Sequence, residues 1–147
     1  MRRHRSATNL SPHESDEAVA LIDWVVLARK QCESLRWLMR VPNGAGLSGG
    51  FAANRGRIMQ AQREGLTTGA PDYLLHKRHG GFFGFALELK RVSEKAKTAR
   101  GSGGVKTDQR KWIDELRRDG WCVRVCYGAD EAIIALRQYV SMPLDEP

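Results

Sequence analysis

The stretch that decides the fold runs Gly69-Ala70-Pro71-Asp72-Tyr73-Leu74-Leu75, turns at His79-Gly80-Gly81, and resumes from Phe82 to end Leu87-Glu88-Leu89-Lys90. Two short apolar runs around a glycine turn predict paired strands over 72–76 and 82–91. Side chains alternate across a strand, so Phe83, Phe85, Leu87 and Leu89 share one face, which is expected to be core. Gly84, Ala86, Glu88 and Lys90 share the other. Charges on a half-buried strand are costly unless they are paired or bound to a metal. Glu88 and Lys90 therefore have two readings: a strand-end ion pair that contributes little, or part of a site. Asp72, at the head of the neighbouring strand, favours the site. Two carboxylates suit a hard divalent cation such as Mg²⁺, and a lysine on the same face can offset charge on a phosphate.

Outward from this pair, residues 93–106 are poor in apolar side chains and rich in Lys, Arg and Gly, which predicts a loop. A helix capped by Thr107 is expected to run to Asp119, with Gly120 as its stop. Gln109, Trp112, Ile113 and Leu116 follow the i, i+3, i+4, i+7 spacing of one helical face. Gln109 thus faces the sheet, either as a satisfied core amide or as a site residue. Upstream, Ser11-Pro12-His13-Glu14 has the form of a capping box opening a helix to about Arg29. Glu14 and Glu17 both lie in its first turns, and either can add a third acidic group. A strand is predicted over 35–41, entering the turn Pro42-Asn43-Gly44, with a glycine-rich loop over 44–50. A basic helix follows over 52–64, a buried strand over 121–127 and an amphipathic helix over 130–140. The order gives an α/β chain, a small mixed sheet flanked by helices. Residues 1–10 read as a basic arm and 141–147 as a tail.

The 147 residues carry a formal charge of +7, enough chain for one core-bearing domain over 11–140. That balance favours a polyanionic partner, most often nucleic acid. An acid pair with a lysine, in such a chain, points to nucleic-acid hydrolysis. No run is long and apolar enough for a membrane span, and the basic start is followed by polar residues rather than a signal-peptide core. Cys32, Cys122 and Cys126 fit a reducing compartment. Cys122 and Cys126, four apart in a predicted strand, are read as packing residues rather than zinc ligands.

Together these residues resemble the VRR-NUC family of the PD-(D/E)XK nuclease superfamily. The resemblance rests on an ordered set: Val41-Pro42-Asn43-Gly44, Glu64-Gly65, Gly69-Ala70-Pro71-Asp72, Glu88-Leu89-Lys90, Gln109 with Trp112, Gly120-Trp121-Cys122-Val123, and Gly128-Ala129-Asp130-Glu131-Ala132. It implies a restriction-endonuclease-like core. Asp72 and Glu88 match the family's metal-binding carboxylates, with the backbone carbonyl of Leu89 as a further ligand. Lys90 matches the catalytic lysine and Gln109 a glutamine of the site. An acidic residue of the first helix belongs to the pattern. Members often carry Gln four residues after it, where this chain has Ala18; Glu14 fits the spacing best and Glu17 second.

The resemblance implies Mg²⁺ or Mn²⁺ as cofactor and DNA as partner. It further implies a homodimer acting on Holliday junctions or other branched DNA, in the cytoplasm of a bacterial or phage-infected cell. Asn43, Arg55, Arg57, Lys95, Lys97, Arg100 and Lys106 are the expected nucleic-acid contacts. Two other readings are a nicking, flap or exonuclease of the same fold and a non-catalytic DNA-binding module.

Overall fold

The computed structural model describes residues 13–42, 51–95, 101 and 103–145, with side chains omitted over 51–54. Helix α1 (Glu14–Ala28) leads through a 3₁₀ turn (Glu33–Trp37) into strand β1 (Leu38–Arg40). Then come α2 (Phe51–Arg63), β2 (Tyr73–Leu75), β3 (Phe85–Lys90), the short α3 (Val92–Lys95), α4 (Thr107–Arg118), β4 (Cys122–Tyr127) and α5 (Ala129–Val140). The four strands form one sheet in the order β1-β2-β3-β4. β1 and β3 flank β2 antiparallel, and β4 runs parallel to β3. A parallel pair cannot be joined by a tight turn; here α4 lies on the connection.

Both faces of the sheet are covered, so every residue of β3 is buried. On one face Phe85, Leu87 and Leu89 join Tyr73 and Leu75 against Leu21 and Val25 of α1 and Leu136 and Tyr139 of α5. On the other, Ala86 and Val123 pack beneath Ile113 of α4, with Leu116 and Trp121 alongside. Cys126 is in the larger core and Cys122 packs against it; all three cysteines are free thiols. Burial pushes the Cys126 thiol up to about 12, as expected of an inert packing residue. Among the described residues, no helix is long and apolar enough to cross a membrane.

Three sequence expectations change. Phe83 is not core: it is 54% exposed, because the strand begins only at Phe85. Gly84 lies flush on the Trp121 ring, where a Cβ would come within 2.4 Å, and Phe83 is set off from the alternation, under the Arg78 guanidinium at 5.0 Å. The first part of the predicted 35–41 strand is a 3₁₀ turn. There Leu35 is 2% exposed in the core, and the Ser34 hydroxyl meets Nε2 of the buried His79 at 2.9 Å. The first helix begins at Glu14, with His13 as its N-cap. Asp16 performs the reciprocal capping contact, accepting the His13 N–H at 3.0 Å, so Glu14 is not the capping carboxylate. Ser11 and the 44–50 loop lie outside the described residues.

Candidate active site

The register brings the acidic residues together at one end of the sheet. Tyr73 pairs with Leu87, so continuing the ladder would set Pro71 against Leu89. Proline has no N–H to offer a ladder, and β2 starts only after it. The Asp72 carboxylate takes up the neighbouring donor instead: its Oδ2 accepts the Leu89 N–H at 2.8 Å. The Asp72 carbonyl accepts the Val41 N–H at 2.8 Å. Asp72 is thereby fixed beside the C-terminal end of β3, where Glu88 and Lys90 face α4.

The first turn of α4 completes the group. Gln109 sits at the third helical position, and its Oε1 accepts the Lys106 N–H at 2.9 Å. Lys106, not Thr107, is the residue before the helix; Gln109 supplies the cap that Thr107 was expected to give. The same Oε1 accepts from Lys90 Nζ at 3.1 Å, while Gln109 Nε2 donates to Glu88 Oε1. Lys90 Nζ lies 2.8 Å from Glu88 Oε1. One amide therefore ties the helix start, the carboxylate and the ammonium into a closed set. The Gln109 amide is thus satisfied, as a core amide must be, and its partners are the two charged groups. Gly69 brings the loop before Asp72 onto this helix. At φ +86 a Cβ there would come within 2.6 Å of the Asp108 backbone, so only glycine permits the approach.

Glu88, Lys90 and Asp72 are 2%, 6% and 7% exposed. Burial pushes the Glu88 carboxyl up to about 7; repulsion from Asp72 and Glu14 adds to this, and Lys90 opposes it. A carboxyl held near neutrality by burial and a like charge is a feature of functional sites. The group opens into a cavity of about 630 Å³ lined by Glu14, Asp72, Glu88, Lys90, Lys106 and Gln109, among others.

The two first-helix candidates separate. Glu14 lines the cavity. Glu17, one helical turn on, faces α5, where its Oε2 accepts the Ala129 N–H at 2.7 Å and satisfies an orphan donor of that helix. Their substitutions should differ in kind. Glu17→Ala is expected to cost about 1 kcal/mol of stability, like loss of a cap, with Mn²⁺ affinity unchanged. Glu14→Ala is expected to weaken Mn²⁺ binding several-fold with little change in Tm. Calorimetric Mn²⁺ titration and thermal melts of both variants check this, and the reverse pattern would reassign the helix acid.

Of the expected nucleic-acid contacts, Lys106 lines the cavity. Arg55 and Arg57 are exposed on α2 and do not line it. Lys95 is ion-paired with Glu131, and Asn43, Lys97 and Arg100 lie outside the described residues. Sequence reading passed over Arg91, which lines the cavity, and Arg40, which lines an adjoining one. The available signal was position: Arg91 directly follows Lys90, and Arg40 directly precedes the Val41-Pro42 turn.

Among the described residues, no three His, Cys, Asp or Glu side chains already converge as a metal cage. Two buried carboxylates beside a third is instead the sparse, oxygen-only donor set of Mg²⁺, which keeps waters and substrate oxygens as its other ligands. Asp72, Glu88 and Glu14 outnumber the ammonium of Lys90, so the cluster carries excess negative charge. The residues present fit a hard divalent cation.

The fold and this group define an α/β protein with an acid-and-lysine centre at one end of a mixed sheet. No family model matches the chain, and no curated protein matches it. Among solved structures it is similar to one titled VRR_NUC domain protein, with a TM-score of 0.69 and 18% identity. That likeness covers 95% of this chain and 96% of the other. At this identity the likeness is one of fold, and it carries the same family name as the resemblance read from the sequence.

Proposed function

We propose that this chain is a metal-dependent, structure-selective DNA endonuclease that hydrolyses phosphodiester bonds, acting as a homodimer on Holliday junctions or other branched DNA. The observation that carries the reading is the meeting of Asp72, Glu88, Lys90 and Gln109 in one cavity of a strongly basic chain. The fold shared with a VRR_NUC domain protein supports the nuclease class. Branched DNA and the dimer come from the sequence resemblance; two sites related by a two-fold axis suit a four-way junction.

Asp72 and Glu88, with Glu14 beside them and the Leu89 carbonyl, are the groups that would hold Mg²⁺ or Mn²⁺. Such an ion, when bound, neutralises phosphate charge and acidifies a water. Lys90 offsets charge on the phosphate in a water-poor setting, where a fixed cation acts strongly. Gln109 keeps the Lys90 ammonium and the Glu88 carboxylate in register, so neither must reorganise during the reaction. Lys106, at the cavity wall, offers a phosphate contact.

The test is a cleavage panel of labelled duplex, flap, single-stranded and four-way-junction DNA with Mg²⁺ or Mn²⁺. Paired cuts in the junction are expected. Cuts confined to flaps or ends would keep the chemistry and change the substrate. Binding without cleavage in either metal would replace the enzyme with a DNA-binding module.

A further inference from the structure

We propose that Arg40 and Arg91 hold the DNA phosphate next to the scissile one, so that the bound strand crosses the end of the sheet from its α4 side to its α1 side. The inference rests on the nuclease reading above and deepens it.

A second cavity of about 280 Å³ adjoins the first and is lined by His13, Ser15, Arg40, Tyr73, Leu89 and Arg91, among others. Glu14, Asp72 and Arg91 line both cavities. Strand parity explains the division. Glu88 and Lys90 project toward α4, whereas Leu89 projects toward α1, and Arg91 continues that alternation just beyond the strand. Arg40 is paired with Tyr73, whose side chain lies in the α1-side core. Arg40 thus extends from the end of β1 on the α1 side as well. Glu14, Asp72 and Arg91 lie at the junction of the two cavities, and Arg40 lies beyond it on the second.

Arg91 uses its backbone at the start of α3, where its N–H donates to Glu94 Oε2 at 3.2 Å, and Arg40 uses its backbone in the pairing of β1 with β2. Neither has an ion-pair partner among the described residues, although the carboxylates of Glu14 and Asp72 line the same cavity. Both are exposed, so neither supports the core. Two guanidiniums line this small cavity beside the carboxylates of the centre, so the strand's path is acidic at the centre and offers cationic donors next to it. A phosphate diester matches the planar guanidinium donors, which bind phosphate through two parallel hydrogen bonds. The carboxylates of the centre would repel DNA, and a neighbouring basic subsite offsets that repulsion where the strand must approach closest.

The test compares wild type, the Arg40→Ala/Arg91→Ala double variant, the matching Lys/Lys variant and Arg29→Ala. Arg29 lies at the far end of α1. Binding of a labelled duplex in Ca²⁺ is followed against salt. The double Ala variant is expected to lower the salt slope by about 1, the signature of one lost phosphate contact. The Lys/Lys variant should recover most of it, and Arg29→Ala should leave it unchanged. In Mn²⁺, the double Ala variant is expected to raise KM roughly 10-fold with little change in kcat, as loss of a charged hydrogen bond implies. A wild-type slope and KM in a folded double Ala variant overturn the proposal while cleavage by wild type keeps the nuclease reading. A reduced slope in a protein whose wild type never cleaves keeps the phosphate site and removes the nuclease reading. Absence of salt-dependent duplex binding by wild type overturns the proposal too.

Discussion

Lys90→Ala is expected to lower metal-dependent DNA cleavage by about 10²–10³-fold, mainly in kcat, the loss typical of removing one preorganised charge-stabilising group. Glu88→Ala should lose at least as much. Lys90 is buried and lies between the Glu88 carboxylate and the Gln109 amide, so its ammonium is held in place rather than searching for its target. Removing it also leaves Glu88 facing Asp72 with less opposing charge, which pushes the Glu88 carboxyl further up. Lys90→Arg should not restore activity, because a planar fork cannot occupy the place of a compact ammonium in this closed set. Single-turnover assays on labelled DNA, with circular dichroism to verify the fold, measure this. Cleavage at the wild-type rate by a folded, purified Glu88→Ala protein would remove Glu88 from the chemistry.

The parts of the fold readable from sequence were those governed by local rules. The alternation of Leu87-Glu88-Leu89-Lys90 and the periodicity of Gln109, Trp112, Ile113 and Leu116 each name a face, and the structure seats these faces against each other. What escaped depends on tertiary partners. Phe83 fits the strand alternation, yet Gly84 on the Trp121 ring ends the strand before it. Glu14 and Glu17 have equivalent positions in an isolated helix; only the N-terminus of α5, folding back from the other end of the chain, draws Glu17 away. Arg91 continues the alternation of β3 and Arg40 ends β1, but no spacing in the sequence relates the two, since β2 lies between their strands. Their common cavity exists only once the sheet is assembled.

Metal-free protein is expected to lose stability as pH rises from about 5 to 8, and a divalent cation should restore it at the alkaline end. Glu88 carries the effect. Its carboxyl is pushed up to about 7 in the folded protein, against about 4.3 for a solvated glutamate. The folded state therefore holds this proton more tightly than the unfolded chain does. The resulting stabilisation is fully present below about 4.3 and is lost as pH rises through about 7. Roughly 2–3 kcal/mol is at stake, or on the order of 5–10 °C in Tm for a chain of this size. Other groups titrate in the same window, so the decisive quantity is the difference between wild type and Glu88→Gln across pH 5–8. That difference should change by several degrees, whereas a flat difference would mean that Glu88 does not carry the raised pKa. On the proposed reading Mn²⁺ would compete with the same proton. It should raise the wild-type Tm strongly at pH 8 and weakly at pH 5.5, while Glu88→Gln should respond weakly at both. Burial of an unbalanced carboxylate pair destabilises the empty protein at working pH, and that cost is what a cation entering the cluster would offset.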